Sequence, residues 1–223
     1  MTTDAPPAST PDDDDDVDDV GDEDVVVLSW WQHPVNVLTL LIGTALIAGM
    51  IGWLIADAAA DDAEGNEVDV GFLQDMRAHH DQAVQMAFMY LALPDTDPGL
   101  RVVAREILLS QGIDIGRMIQ LLRDMDAPEA AETDEAMAWM GMTTTHDQMP
   151  GMATEEQLDE LGASSGAEAD RLFVELMSAH HQGGIHMADF AAIEAEVAEV
   201  RAMAESLAQS QADEIGELQR LVE

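Results

Sequence analysis

The chain has 223 residues, 47% of them apolar but only 4% aromatic, and it contains no cysteine. Disulfides and thiolate metal sites are therefore excluded, and any core must be built from Ala, Leu, Ile, Val and the 15 Met, a mix that favours helices over a β-sandwich. No Lys and 8 Arg against 46 acids give a net charge of −38, which excludes nucleic acid binding through a basic surface and suits either a salty environment or the gathering of cations.

Residues 1–29 hold 11 acids and no base, including the run from Asp12 to Asp16, and 1–34 reads as a disordered acidic tail. Residues 35–56 follow, 22 residues without a charge. As a helix they would span about 33 Å, against a hydrocarbon core of about 30 Å. Trp30 and Trp31 precede this stretch and Trp53 lies near its end, as interfacial anchors would. The expectation is a single-pass transmembrane helix. A cleaved signal peptide is the rival reading, with Ala58-Ala59-Ala60 as the cleavage site, but the stretch is long and its leading flank acidic rather than basic. The first basic residue on either side is Arg77, so charge does not set the orientation.

An acidic linker over 57–69 leads into a helical region, 70–223. A helix is predicted over 68–91, broken by the prolines and turn formers of 94–99, and a second over 100–125. A Met-rich linker occupies 126–153. Thr154 and Gln157 form a capping box for a short helix that ends near Gly162. A further helix is predicted over 168–193, and a last one runs to about 222.

The turn between these last two carries no Pro or Gly, and an internal repeat locates it. Residues 72–87, FLQDMRAHHDQAVQMA, return as 173–188, FVELMSAHHQGGIHMA, and both read F-x-x-x-M-x-x-H-H-x-x-x-x-x-M-A. Downstream, Ser-Gln-x-x-x-Ile-Gly occurs at 110–116 and again at 210–216. Each repeat is about 50 residues, two helices and a turn, which suits a helical hairpin better than a solenoid of three or more units. Aligning the copies puts the missing turn near 193–198.

On the first repeat helix, Phe72, Met76, His79, Ala83, Met86 and Tyr90 are spaced as the inward stripe of a bundle. Phe173, Met177, His180, Gly184, Met187 and Ala191 form the matching stripe on the other. His79 and His180 therefore point inward, each with Met at i−3 and i+7, while His80 and His181 fall at the edge of that face. An inward Met stripe alone is ordinary core, and a lone inward His is usually a hydrogen-bonded core residue. Two His-His pairs flanked by Met on otherwise divergent repeats point further, to a soft imidazole and thioether ligand set that suits copper, Cu(I) above all and Cu(II) second. His186 adds an imidazole without a counterpart, since Gln85 stands in the first copy.

The linker stretch 137–152 holds Met137, Met140, Met142, Met149, Met152 and His146. It reads equally as a flexible thioether lid that collects copper or as a hydrophobic strap across the bundle. A di-iron carboxylate bundle would need Glu-x-x-His pairs. The i−3 residues of the helical histidines are Met76, Arg77, Met177, Ser178 and Gly183, never an acid. No His-Glu-x-x-His, haem-attachment or phosphate-loop motif occurs, nor any nucleophile constellation.

At these residues, together with Met149-Pro150-Gly151-Met152 and the Gln-x-x-x-Ile helices, the chain resembles the CopM-like family, domain of unknown function 305, over roughly 71–222. The resemblance implies an all-α, ferritin-like four-helix bundle, usually exported, whose better understood members bind copper and support copper tolerance. It implies Met76, His79, His80, Met86, Met177, His180, His181 and Met187 as ligand candidates, to which the reading of the residues adds His186, His146, Met149 and Met152 as outer ones. In the second copy Gly183-Gly184-Ile185-His186 departs from the family's frequent Gly-Ala-Ile followed by a non-ligand. The resulting expectation is a membrane-anchored copper-binding protein that sequesters or hands over copper outside the cytoplasm without catalysis. Its partners would be the membrane and copper ions, with no nucleic acid. The alternatives are a ferritin-like metal oxidase and a metal-free structural or partner-binding bundle.

Overall fold

The computed structural model describes residues 29–60 and 65–222, so residues 1–28 of the acidic tail expected over 1–34, residues 61–64 of the linker and residue 223 lie outside the described residues. The chain divides into two compact units, one up to Ala59 and one from Ala60.

In the first unit, α1 (Pro34–Ala60) follows a 3₁₀ turn at Trp30–Gln32. Its stretch Pro34–Leu54 is long and apolar enough to cross a membrane, and none of it is buried by protein. Thr39 and Thr44 donate their hydroxyls to the carbonyls of Val35 and Leu40, both at 2.8 Å, so neither presents an unpaired O–H along the helix.

The second unit is a four-helix bundle of α2 (Glu67–Ala92), α3 (Pro98–Asp124), α5 (Gly166–Glu194) and α6 (Ala198–Val222), crossed by a connection that carries a short α4 (Glu155–Ala163). The two hairpins α2–α3 and α5–α6 are the two repeats, and the turn without Pro or Gly is Ala195–Val197, inside the window given by the alignment. Local sequence fixes the helix ends. Asn66 and Asp69 form a capping box on α2, Asp97 caps α3 ahead of Pro98, and Thr154 with Gln157 caps α4.

The hairpins cap each other. Asp69 on α2 is fully buried and accepts the N–H groups of Glu196 and Val197 in the α5–α6 turn, both at 3.0 Å. Its repeat counterpart Asp170 on α5 accepts the N–H of Asp97 at 3.0 Å and the Tyr90 hydroxyl at 2.5 Å at the α2–α3 turn. Arg101 and Arg201, also counterparts, donate to the carbonyls that end the preceding helices: Leu91 and Leu93 in one case, Ala195 in the other.

Two apolar clusters fill the bundle. One joins Phe72, Leu73 and Met76 to Met187, Ala188 and Ala191, and the other joins Ala83, Met86 and Tyr90 to Phe173 and Met177. This pairing of early α2 with late α5, and the reverse, places the four repeat histidines between the clusters, at the middle of the bundle.

The linker over 126–153 is a strap held to the bundle surface. Its β1 (Glu135–Ala136) and β2 (Thr144–Thr145) pair antiparallel. Asp75, buried on α2, anchors it by accepting the Met137 N–H and the Trp139 indole N–H, both at 2.7 Å. Trp139 packs edge-on against Phe72 and Phe190, and a Cβ on Gly71 would overlap its indole. Met137 and Met149 are buried in the first cluster and Met140 and Met152 pack at its margin, while Met142 is exposed. In this conformation the strap reading describes most of these side chains.

Candidate metal centre

His79 and His180 meet at the centre of the bundle, with ring centroids 3.7 Å apart and planes tilted by 33°. His181 lies 6.2 Å from His180, centroid to centroid. His80 and His181, expected at the edge of the inward face, are both 0% exposed. The stripe was drawn from α2 and α5 alone. In the bundle each of these helices has two neighbours, and α3 and α6 cover the flank that carries the second histidine.

Six of the eight ring nitrogens have no hydrogen-bond partner: Nδ1 of His79, Nδ1 and Nε2 of His80, Nδ1 and Nε2 of His180, and Nδ1 of His181. The remaining two are held. His79 Nε2 is 3.0 Å from the Pro150 carbonyl and His181 Nε2 is 2.6 Å from Glu214 Oε2. A carbonyl or carboxylate oxygen can only accept, so in both rings Nε2 carries the proton and, in the neutral ring, Nδ1 keeps its lone pair. Each buried polar atom left unpaired costs about 1–3 kcal/mol, so several together are a feature to be explained.

Electrostatics agree with a donor role. Burial lowers the His79 pKa to about 4, although its bond to Pro150 works in the other direction. Burial, then the neighbouring imidazoles, holds His80 and His180 well below the ordinary imidazole range. These three rings are neutral near pH 7, the form that offers a lone pair to a metal.

The candidate thioethers divide between the two sides of this layer. Met76 and Met187 lie in one apolar cluster, Met86 and Met177 in the other, and all four are 0% exposed. Of the outer candidates, Met149 is buried in the strap and Met152 is half-buried. His186 is exposed, apart from the central layer. His146 is engaged elsewhere, 3.3 Å from Asp75 and 3.4 Å from Asp134. Among the described residues no three His, Asp or Glu donors already surround one point. Thioethers or turned rings must complete any coordination shell.

The strap closes one side of the layer. Gly151, at φ +83°, lies so close to α5 that a Cβ there would overlap the Ala179 carbonyl, and a Cβ on Gly183 would overlap the Pro150 carbonyl. Gln82 ties the strap down through both amide atoms, donating to Ala153 O at 2.9 Å and accepting from Ala153 N at 2.7 Å. On the other side, Gln111 of α3 and its counterpart Gln211 of α6 are buried, and the Gln211 carboxamide occupies the space that a Cβ on Gly184 would need. Above them are Asp114 and its counterpart Glu214. Burial raises the Asp114 pKa, Arg117 at 3.4 Å opposes this, and the charge of Glu214 adds to the rise.

Sequence reasoning passed over Glu214, Asp69 and Asp170. The doubled motif signalled Glu214, because its fifth position, written as x, is Asp in one copy and Glu in the other. The two aspartates each stand three residues before the Phe that opens the repeat.

The second unit is thus a four-helix bundle that encloses a buried layer of four imidazoles between buried methionines. The chain belongs to the DUF305 family, domain of unknown function, whose profile matches residues 69–222. A solved DUF305 protein from Streptomyces coelicolor is 35% identical, with TM-score 0.64 over 69% of this chain and 91% of that one. A DUF305 fragment from Deinococcus radiodurans is 27% identical, with TM-score 0.60 over 71% of this chain and 97% of its own. CopM in its Cu(I)-bound form is 25% identical, with TM-score 0.51 over 69% and 94%, and it is also solved bound to Cu(II) and to Ag. No curated protein matches the chain.

Proposed function

We propose that this protein is a single-pass, membrane-anchored copper-binding protein that sequesters copper or hands it on outside the cytoplasm. The observation that carries the reading is the layer of four buried imidazoles with six unpaired nitrogens, between two pairs of buried methionines. Neutral imidazole and thioether are soft donors, and Cu(I) is the ion they suit best. The copper- and silver-bound forms of CopM support the same choice of ion. The ligands are His79, His80, His180 and His181 with Met76, Met86, Met177 and Met187, while Met149, Met152, His146 and His186 are outer donors at most. The exposed apolar length of α1, with Trp30 and Trp53 exposed towards its two ends, supports the anchor. The usual export of the family's members supports a bundle outside the cytoplasm.

The test is a titration of the full chain in detergent with Cu(I) against a competing chelator. H79A/H180A is expected to weaken binding by at least about 100-fold, roughly 3 kcal/mol. Unchanged affinity would refute the site. Copper at 1,000 times Kd should stabilise the native bundle by about 4 kcal/mol. Sustained oxygen consumption with Fe(II) or Cu(I) would instead make it an oxidase.

A further inference from the structure

We propose that copper reaches the histidine layer along the seam between α3 and α6, where Glu214 takes up the ion beside His181 and Asp114 faces it across the seam. The inference rests on the copper-binding reading above and adds the route.

Two contacts of the buried rings differ in kind. His79 is held by a backbone carbonyl of the strap, on the side where Gly151 and Gly183 let two backbones meet and Gln82 clamps Ala153. On that side a Cβ at either glycine would overlap backbone. His181 is held by a side chain that reaches water: Glu214 is 20% exposed, while His181 is 0% exposed. One carboxylate therefore touches both solvent and the buried layer, with Oε2 on the ring and Oε1 3.5 Å from the Ser110 hydroxyl across the seam.

The lining between surface and rings is polar and incompletely paired. Gln111 lies one turn from Asp114, and Gln211 one turn from Glu214. Both amides are buried, and Gln111 Oε1 and Gln211 Nε2 have no partner. Gln211 rests against Gly184, one turn beyond His180 on α5. An ion held by Glu214 thus stands beside the His181 ring, with the partly unpaired amides of Gln111 and Gln211 one turn from the two carboxylates. The paired carboxylates at the mouth raise the local cation concentration.

A route changes the rates of uptake and release together and leaves the end states alone. In stopped-flow uptake of Ag(I) by the full chain in detergent, E214Q and D114N should each slow association about ten-fold at low salt. In D114N, which leaves the hydrogen bond on His181 in place, release should slow by a similar factor, so the equilibrium affinity stays within about three-fold. Q82A, which frees the strap, should leave uptake unchanged. D114N leaves the His181 hydrogen bond in place and carries the test if E214Q loosens the fold. Wild-type rates in both seam variants, or faster uptake in Q82A alone, would overturn the route while copper binding stands. A wild type that takes up neither Ag(I) nor Cu(I) would overturn both.

Discussion

The α2–α3 hairpin and the α5–α6 hairpin share a plan at some positions and depart from it at others. Asp69 matches Asp170, Arg101 matches Arg201, the His-His pairs match, and Gln111 matches Gln211, each at the corresponding place in the two halves. The departures lie elsewhere. Ala191 stands where the first copy has Tyr90, Gly183-Gly184 stands where it has Gln82-Ala83, and Glu214 stands where it has Asp114. Shared positions hold the bundle and its histidine layer. Unshared positions make the two faces of that layer different. Tyr90 stacks on Phe173 at 4.2 Å, whereas at the other end Ala191 leaves space and the strap's Trp139 packs on Phe72. Gly183 then admits the Pro150 carbonyl. The strap has one way to sit, and it seals one face only.

The largest effect that would test the shared part is acidification. The His79 pKa is about 4 in the fold against 6.5 free, so at neutral pH both folded and unfolded chains carry it uncharged and its full stabilising share is present. As pH falls below 6.5 the unfolded chain takes up a proton that the fold refuses, and stability is lost down to about pH 4. This one group contributes about 3 kcal/mol to that loss, with His80 and His180 acting in the same direction. Melting temperature of the metal-free protein against pH, compared with H79Q, measures it; equal acid sensitivity in the variant would break the argument.

Next come the caps. D69A leaves the N–H groups of Asn66, Glu196 and Val197 unpaired and should cost about 3 kcal/mol. D170A strands two donors rather than three, the Asp97 N–H and the Tyr90 hydroxyl, and should cost about 2 kcal/mol. Denaturant midpoints in which D170A is the worse of the two would reverse the comparison.

Smaller again is G183A, which removes a departure. Overlap with Pro150 should outweigh the gain in helix propensity and leave a net cost of about 1–2 kcal/mol. G184A should cost less, because the obstructing atom is the end of a flexible Gln211 side chain. At the bottom of the scale, R171A removes surface pairs to Glu168 and Glu175 and should not move the melting temperature measurably.

Much of the fold was legible because it is written in local periodicity. The Phe-Met-His stripe, the capping residues and the repeat placed four helices and a turn that no Pro or Gly marks. Burial of His80 and His181 was not legible, since it depends on α3 and α6 arriving on their flank, which the spacing along α2 and α5 does not encode. The strap divided the two readings of 137–152 for a similar reason. Whether Met137 and Met149 pack or float depends on Asp75, sixty residues upstream, pairing with a backbone N–H and an indole. Residues 1–28, read from composition as an acidic tail, lie outside the described structure.

The exchange of Asp69 and Asp170 between hairpins has a consequence for how such a chain assembles. Neither half can finish its own turn, because the carboxylate that closes each one is supplied by the other. Folding of the halves is thereby coupled, and a break in the connection over 126–153 should leave two fragments that are unstable apart and complementary when mixed. A single repeat made alone would have one aspartate to give and one turn to close, and would complete itself only as a two-fold dimer. The duplicated chain holds the two halves of that dimer permanently at high effective concentration.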